Sequence, residues 1–160
     1  EIFVRHYLKS TTCLISFSQS EFNPVMDRRK VVMAKRKSIN IPEFQHTNPI
    51  PNASLIGALL MTGVILGRDS QNDMVPESLE EQCSLMFKHI HSIILAAGGT
   101  PDDILKVTVW LKNISNKKPL NSEWEKMFPD PNSRPARQTL IDNQDWPYLI
   151  SCEFTAVLSQ

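Results

Sequence analysis

A planar guanidinium can grip a carboxylate through two parallel N–H donors, so arginines in fixed surroundings are candidates for anion chemistry. Two of them, Arg134 and Arg137, stand three apart in Asn132-Ser133-Arg134-Pro135-Ala136-Arg137-Gln138-Thr139, with a proline stiffening the chain between them. Taken alone, the pair suits surface salt bridges as well as an anion site. Glu153 lies mid-strand among Ser151, Thr155 and Val157, where a carboxylate either moves a proton or is simply solvated. Other chemistries lack their residues. There is no GxGxxG or GxxxxGK[ST] phosphate loop and no GxSxG elbow. His89 and His91 are two apart on an expected helix and point in different directions, so they cannot share a metal. His46 has no nearby Cys or His partner, and zinc spacing occurs nowhere. The expectation is a site without metal or cofactor.

The elements that must carry these residues follow from periodicity. Ser38-Ile39-Asn40-Ile41 alternates as a short strand, and Asn48-Pro49-Ile50-Pro51-Asn52 forces a loop. Residues 59–65 read as a buried strand, with Gly63 marking a bulge or close approach. A helix is expected from Ser78 to Ala97. Ser78 and Glu81 form a capping box, an apolar stripe runs from Leu79 through Cys83, Met86, Phe87, Ile90, Ile93, Ile94 and Ala97, and Gly98-Gly99 stops it. Leu105, Val107, Val109 and Leu111 form the core face of the next strand, and Leu120, Trp124 and Phe128 the buried stripe of a second helix over 119–128. Strands over 135–141 and 148–158 close the chain. This order predicts an α+β fold, a mostly antiparallel sheet with two helices on one face.

Composition sets the limits. One hundred and sixty residues suit one domain, and 41% hydrophobic with 21% charged residues is the balance of a soluble globular chain. The zero net charge hides a division. Residues 1–37 hold eight Lys/Arg against three Asp/Glu (+5), leaving nine basic and fourteen acidic residues (−5) for 38–160. An acidic body makes nucleic acid an unlikely partner, and no apolar run approaches the ~20 residues that span a bilayer. Cys13, Cys83 and Cys152 form no CxxC pair, as in a reduced intracellular protein. Residues 1–35 are rich in Ser, Thr and Lys/Arg and begin with Glu1. The reading is a disordered leader, either transit-like or a gene-model extension ahead of Met26 or Met33, and 36–160 is the domain. A cytoplasmic setting is expected, or a mitochondrial one if the leader is genuine.

The same stretches resemble the Rid (RidA/YjgF) family. Gly98-Gly99-Thr100-Pro101-Asp102-Asp103-Ile104-Leu105-Lys106-Val107-Thr108-Val109-Trp110-Leu111 is similar to its helix exit and following strand. Leu120-Asn121-Ser122-Glu123-Trp124 is similar to its second helix, Arg134-Pro135-Ala136-Arg137 to its R-P-A-R signature, and Cys152-Glu153-Phe154-Thr155-Ala156-Val157 to its closing strand. The resemblance implies a chorismate-mutase-like fold assembled as a homotrimer with clefts between subunits. It implies hydrolytic deamination of enamine/imine intermediates such as 2-iminopropanoate, giving 2-keto acids and ammonia. Arg137 would hold the carboxylate, Glu153 would orient or activate water, and Asn121, Thr139, Ser54 and Trp124 would line the cleft around an imine or keto-acid ligand. A non-catalytic carboxylate-binding trimer and an endoribonuclease are the alternatives. The chain departs from the family twice: Pro51-Asn52-Ala53-Ser54 lacks the tyrosine of P-Y-S-Q, and Thr139 stands where cysteine is frequent. An altered pocket is expected, within a variant subgroup marked by NPIP, FPDP and RPAR.

Overall fold

The computed structural model describes residues 35–44 and 48–159. The readings of the leader, of Cys13 and of His46 therefore lie outside the described residues. Seven strands are described: β1 (Lys37–Ile39), β2 (Ala53–Ile56), β3 (Leu59–Thr62), β4 (Ile65–Leu66), β5 (Ile104–Leu111), β6 (Ala136–Ile141) and β7 (Ile150–Val157). Two helices, α1 (Leu79–Ala96) and α2 (Lys118–Met127), join them. They form one sheet in the order β1-β2-β3-β7-β5-β6, with β4 also pairing β7. Every pairing is antiparallel except β5 with β6. That exception follows from connectivity, since α2 is the crossover between the two strands and a crossover returns the chain in the same direction. The α+β architecture read from the pattern is the one observed.

The expected helix α1 forms with its entire stripe buried, from Leu79 to Ala97. Ser78 Oγ accepts from the Glu81 N–H at 3.2 Å, and Gly98 ends the helix at φ +87°, with the Gly99 N–H reaching Ile94 O at 3.0 Å. Two residues outside that stripe are buried as well. Gln82 donates to Pro76 O at 2.6 Å and accepts from the Leu149 N–H at 2.8 Å, tying two loops to α1. His89 stacks on Phe44, with ring centroids 4.2 Å apart, and its Nδ1 lies 2.9 Å from Leu66 O. His91 is exposed.

Three readings change. The β2–β3 hairpin adds a strand to the expected order. It turns through Gly57-Ala58, Gly57 taking φ +59° in the two-residue loop between the paired Ile56 and Leu59. The strand expected over 59–65 is two pieces. Thr62, Gly63 and Val64 stand opposite only Glu153 and Phe154, so Gly63 marks a bulge. Leu105 leaves the core: a register shift between Ile104 and Lys106 buries Ile104 and leaves Leu105 61% exposed.

Two consequences are measurable. A Cβ on Gly67 would overlap the Gln82 backbone carbonyl, and neither partner is a flexible side chain. Gly67→Ala should destabilise the fold by about 1–3 kcal/mol in urea unfolding, the usual cost of overpacking; a neutral substitution would refute the packing. At the other end, Asp103 accepts from the Ser159 hydroxyl (2.6 Å) and N–H (2.9 Å) and from the Thr100 N–H (2.7 Å). The Ser159 hydroxyl, then the Thr100 and Ser159 N–H groups, hold its carboxyl down to about 2. A depressed carboxyl stabilises above its unfolded value of about 3.9 and loses that contribution as pH falls toward 2. Amide exchange at Ser159 should stay protected above pH ~4 and lose protection between pH ~4 and ~2. Protection undiminished at pH 2 would contradict this tie.

Candidate functional site

Strand β5 decides which side chains meet. Val107 pairs with Arg137 of β6 and with Phe154 of β7, while Thr108 pairs with Gln138 and with Glu153. Register partners share a face, and successive residues alternate. Arg137 therefore points to the helix-bearing face with Val107 and Phe154, both buried, and Glu153 points to the opposite, open face. Thr139, two residues beyond Arg137, shares its face. Ser54 pairs with Met61, which pairs with Thr155, and this puts Ser54 on the open face with Glu153. The sequence candidates thus fall into two groups on opposite faces of one sheet. Arg137, Thr139, Asn121 and Trp124 form the first; Glu153 and Ser54 form the second.

Helix α2 builds the first group. Asn121 and Trp124 are three residues apart, one turn on the same side. Asn121 Oδ1 accepts from Arg137 Nη2 at 2.8 Å, and the Trp124 ring lies beneath the guanidinium, with Cζ 4.7 Å from the ring centroid. Trp124 is itself buried against Phe128, with centroids 4.7 Å apart and rings tilted 58°. Arg134 serves the same construction from below, its Nε donating to Phe128 O at 2.9 Å and pinning the turn that leads into β6. The paired-arginine reading therefore divides: Arg134 braces the turn, and Arg137 is the candidate anion ligand.

Electrostatics favour that assignment. Arg137 Nη1 is buried and has no hydrogen-bond partner among the described residues. Burial pushes the guanidinium below its ordinary pKa, but arginine starts so high that the group stays charged. A buried donor with nothing to donate to is costly unless a ligand completes it. Glu153 is half-buried and stands against the Gly63–Val64 bulge, a distortion of the kind that re-aims side chains beside functional sites.

The loop that carries the chain from β6 to β7 is held by a group the motif search passed over. Asp142 is buried, and its Oδ2 accepts from Trp146 Nε1 at 2.6 Å and its Oδ1 from the Gln144 N–H at 2.9 Å. Lys112 Nζ donates to Trp146 O at 2.6 Å. Nothing in a linear reading marks Asp142, because its partners are specified only by the loop's closure.

Thiol chemistry is disfavoured within the domain. Cys83 is fully buried, and burial, then Glu123 and Glu80, push its thiol up to about 12. Cys152 is raised as well, by burial first and then by Glu153 and Cys83. A nucleophile needs the thiolate, which these surroundings suppress. Among the described residues no three His, Cys, Asp or Glu side chains gather as a metal site, and no helix is long and apolar enough to cross a membrane.

Comparison with known proteins agrees with this fold. A family model described as Endoribonuclease L-PSP matches residues 43–142. A RutC family protein of Buchnera aphidicola is 32% identical over 89 residues, 56% of this chain and 70% of that protein. The 2-iminobutanoate/2-iminopropanoate deaminase of Salmonella typhimurium is 22% identical over 102 residues, covering 64% and 80% of the two chains. The solved structure of YyfA from Yersinia pestis, described as a conserved Rid protein of unknown function, superposes with a TM-score of 0.72 at 23% identity, over 78% of this chain and all of that one. With its RPAR arginine seated on α2 and its family segment matched from the first loop through β6, the chain belongs to the endoribonuclease L-PSP family, the Rid (RidA/YjgF) proteins.

Proposed function

We propose that this protein is a homotrimeric hydrolase that converts small 2-imino acids to 2-keto acids and ammonia, with Arg137 gripping the carboxylate. The observation that carries the proposal is the half-buried Arg137 side chain with its buried, unpartnered Nη1. Water adds to the imine carbon, the resulting C–N bond breaks, and nitrogen leaves as ammonia after gaining protons; the carboxylate is unchanged. Such a reaction asks for positioning and one proton-transfer group, and a carboxylate such as Glu153 suits that second role.

Because Arg137 and Glu153 lie on opposite faces of one chain, a site using both needs a second copy. The open face supports such packing. Ile56, Leu59 and Val157 share one register row, with Met61 beside them, and each is about half exposed. Adjacent apolar side chains on an open sheet face mark a contact surface. An RNA substrate finds less support, since residues 38–160 carry −5.

The test couples the protein to a threonine dehydratase and follows ammonia release. Arg137→Ala should lower kcat/KM roughly 100-fold, the loss of two charge-assisted hydrogen bonds at ~1.5 kcal/mol each. Wild-type turnover indistinguishable from the uncatalysed rate, with tight 2-oxobutanoate binding retained, would favour the non-catalytic trimer instead. If the two residues act from neighbouring subunits, Arg137→Ala and Glu153→Ala chains refolded together should recover activity that neither has alone. Persistently inactive mixtures that still assemble would argue against the shared cleft.

A further inference from the structure

The surroundings of Arg137 are notable for what they do to its charge. A half-buried arginine at a sheet edge is often neutralised by a carboxylate, since a charge withdrawn from water is costly when unpaired. Among the described residues the ion pairs are Arg68 with Asp73 and Lys126 with Glu123, and neither involves Arg137. Its partners are instead a carboxamide oxygen at 2.8 Å and an indole face at 4.7 Å. Both are uncharged. The carboxamide accepts one N–H in the guanidinium plane, and the ring fixes the plane itself; together they remove the rotations about the last bonds of the side chain. Asn121 and Trp124 sit one turn apart on α2, and Trp124 is backed by Phe128, so the clamp moves with a helix and not with a loop.

We infer that Asn121 and Trp124 are a charge-neutral clamp that aims the Arg137 guanidinium while leaving its full positive charge for the ligand, which makes Trp124 a positioning residue and not a ligand contact. This rests on the proposed role of Arg137 as the carboxylate site, and it reassigns Trp124 from cleft lining to support. The clamp engages Nη2 and leaves Nη1 unpaired, the donor that ligand binding would complete. Replacing Asn121 by aspartate keeps the side chain's shape and supplies an acceptor, but cancels the charge. That one substitution separates a neutral clamp from a mere hydrogen-bonding partner.

Two measurements test it. The first needs no ligand: side-chain ¹⁵N spectra of the guanidinium groups, with the Arg137 signals identified by their loss in Arg137→Lys. A clamped guanidinium gives separate, slowly exchanging Nη signals. These should persist in the wild type and in Trp124→Phe and should average in Trp124→Leu. Separate signals in a folded Trp124→Leu would overturn the inference. The second is calorimetric titration with 2-oxobutanoate, with 2-butanone as the probe lacking a carboxylate. Asn121→Asp should weaken 2-oxobutanoate binding at least roughly 10-fold and Trp124→Phe by no more than about 3-fold, and 2-butanone binding should be indifferent to both. Wild-type affinity in Asn121→Asp would overturn the inference even if Trp124→Leu fails to fold. A wild type with clamped Arg137 signals but no affinity for 2-oxobutanoate would overturn the carboxylate reading and leave the clamp standing.

Discussion

Strand β5 is paired on both sides, and its register with β6 and β7 governs everything functional in the domain. Val107 sits between Arg137 and Phe154, and Thr108 between Gln138 and Glu153. Side chains alternate with a period of two, so a one-residue slip of either partner would exchange the faces. Arg137 would then leave α2 for the open side. The register is held where slipping would be most costly: Val107, Val109 and Leu111 are buried against Phe154, Cys152 and Ile150. The hydrophobic core therefore does more than stabilise the sheet. It chooses the side on which a cation appears.

The helices supply the second constraint. The stripe of α1 covers the middle of the sheet, and α2 packs against α1 at one end, where β6 forms the sheet edge. An edge strand is where a charged side chain can be half-buried and still approached from outside. Buried polar groups secure the loops around this arrangement with their hydrogen bonds satisfied: Gln82 bridges two loops and α1, Asn52 accepts from the Ile41 N–H at 2.8 Å, and Asp142 organises the turn before β7. Arg137 Nη1 is the exception among the described residues. Among the described residues, the one buried side-chain polar atom without a partner thus belongs to the residue whose chemistry suits an anion.

The open face that carries Glu153 also carries an exposed apolar row. Ile56, Leu59, Met61 and Val157 are unfavourable in water singly and more so together. In the proposed assembly, another copy covering them would bury that apolar surface. In the proposed trimer, stability of the assembly and completion of the site would be one event.

Much of this was legible in the linear sequence, because it depends on local chemistry. The stripe of α1, its cap at Ser78 and its stop at Gly98 follow from helical periodicity and from glycine's freedom at positive φ. The α2 stripe of Leu120, Trp124 and Phe128 likewise needs only spacing. Arg137 stood out only weakly by residue type and gained weight from the ordered match around it. Other features were illegible for a common reason: they depend on which strands become neighbours. Leu105 follows the alternation that makes Val107 core, yet a register shift near Lys106 expels it. Trp124 meets a guanidinium only because the parallel pairing of β5 and β6 sets Arg137 upon its ring. Above all, the letters do not say which faces of separate strands coincide. The sequence by itself determined the helices, the apolar stripes and the identity of the cation; only the tertiary structure decided that Arg137 and Glu153 turn away from each other, because facing is a property of strand register, and register is chosen by the packed core.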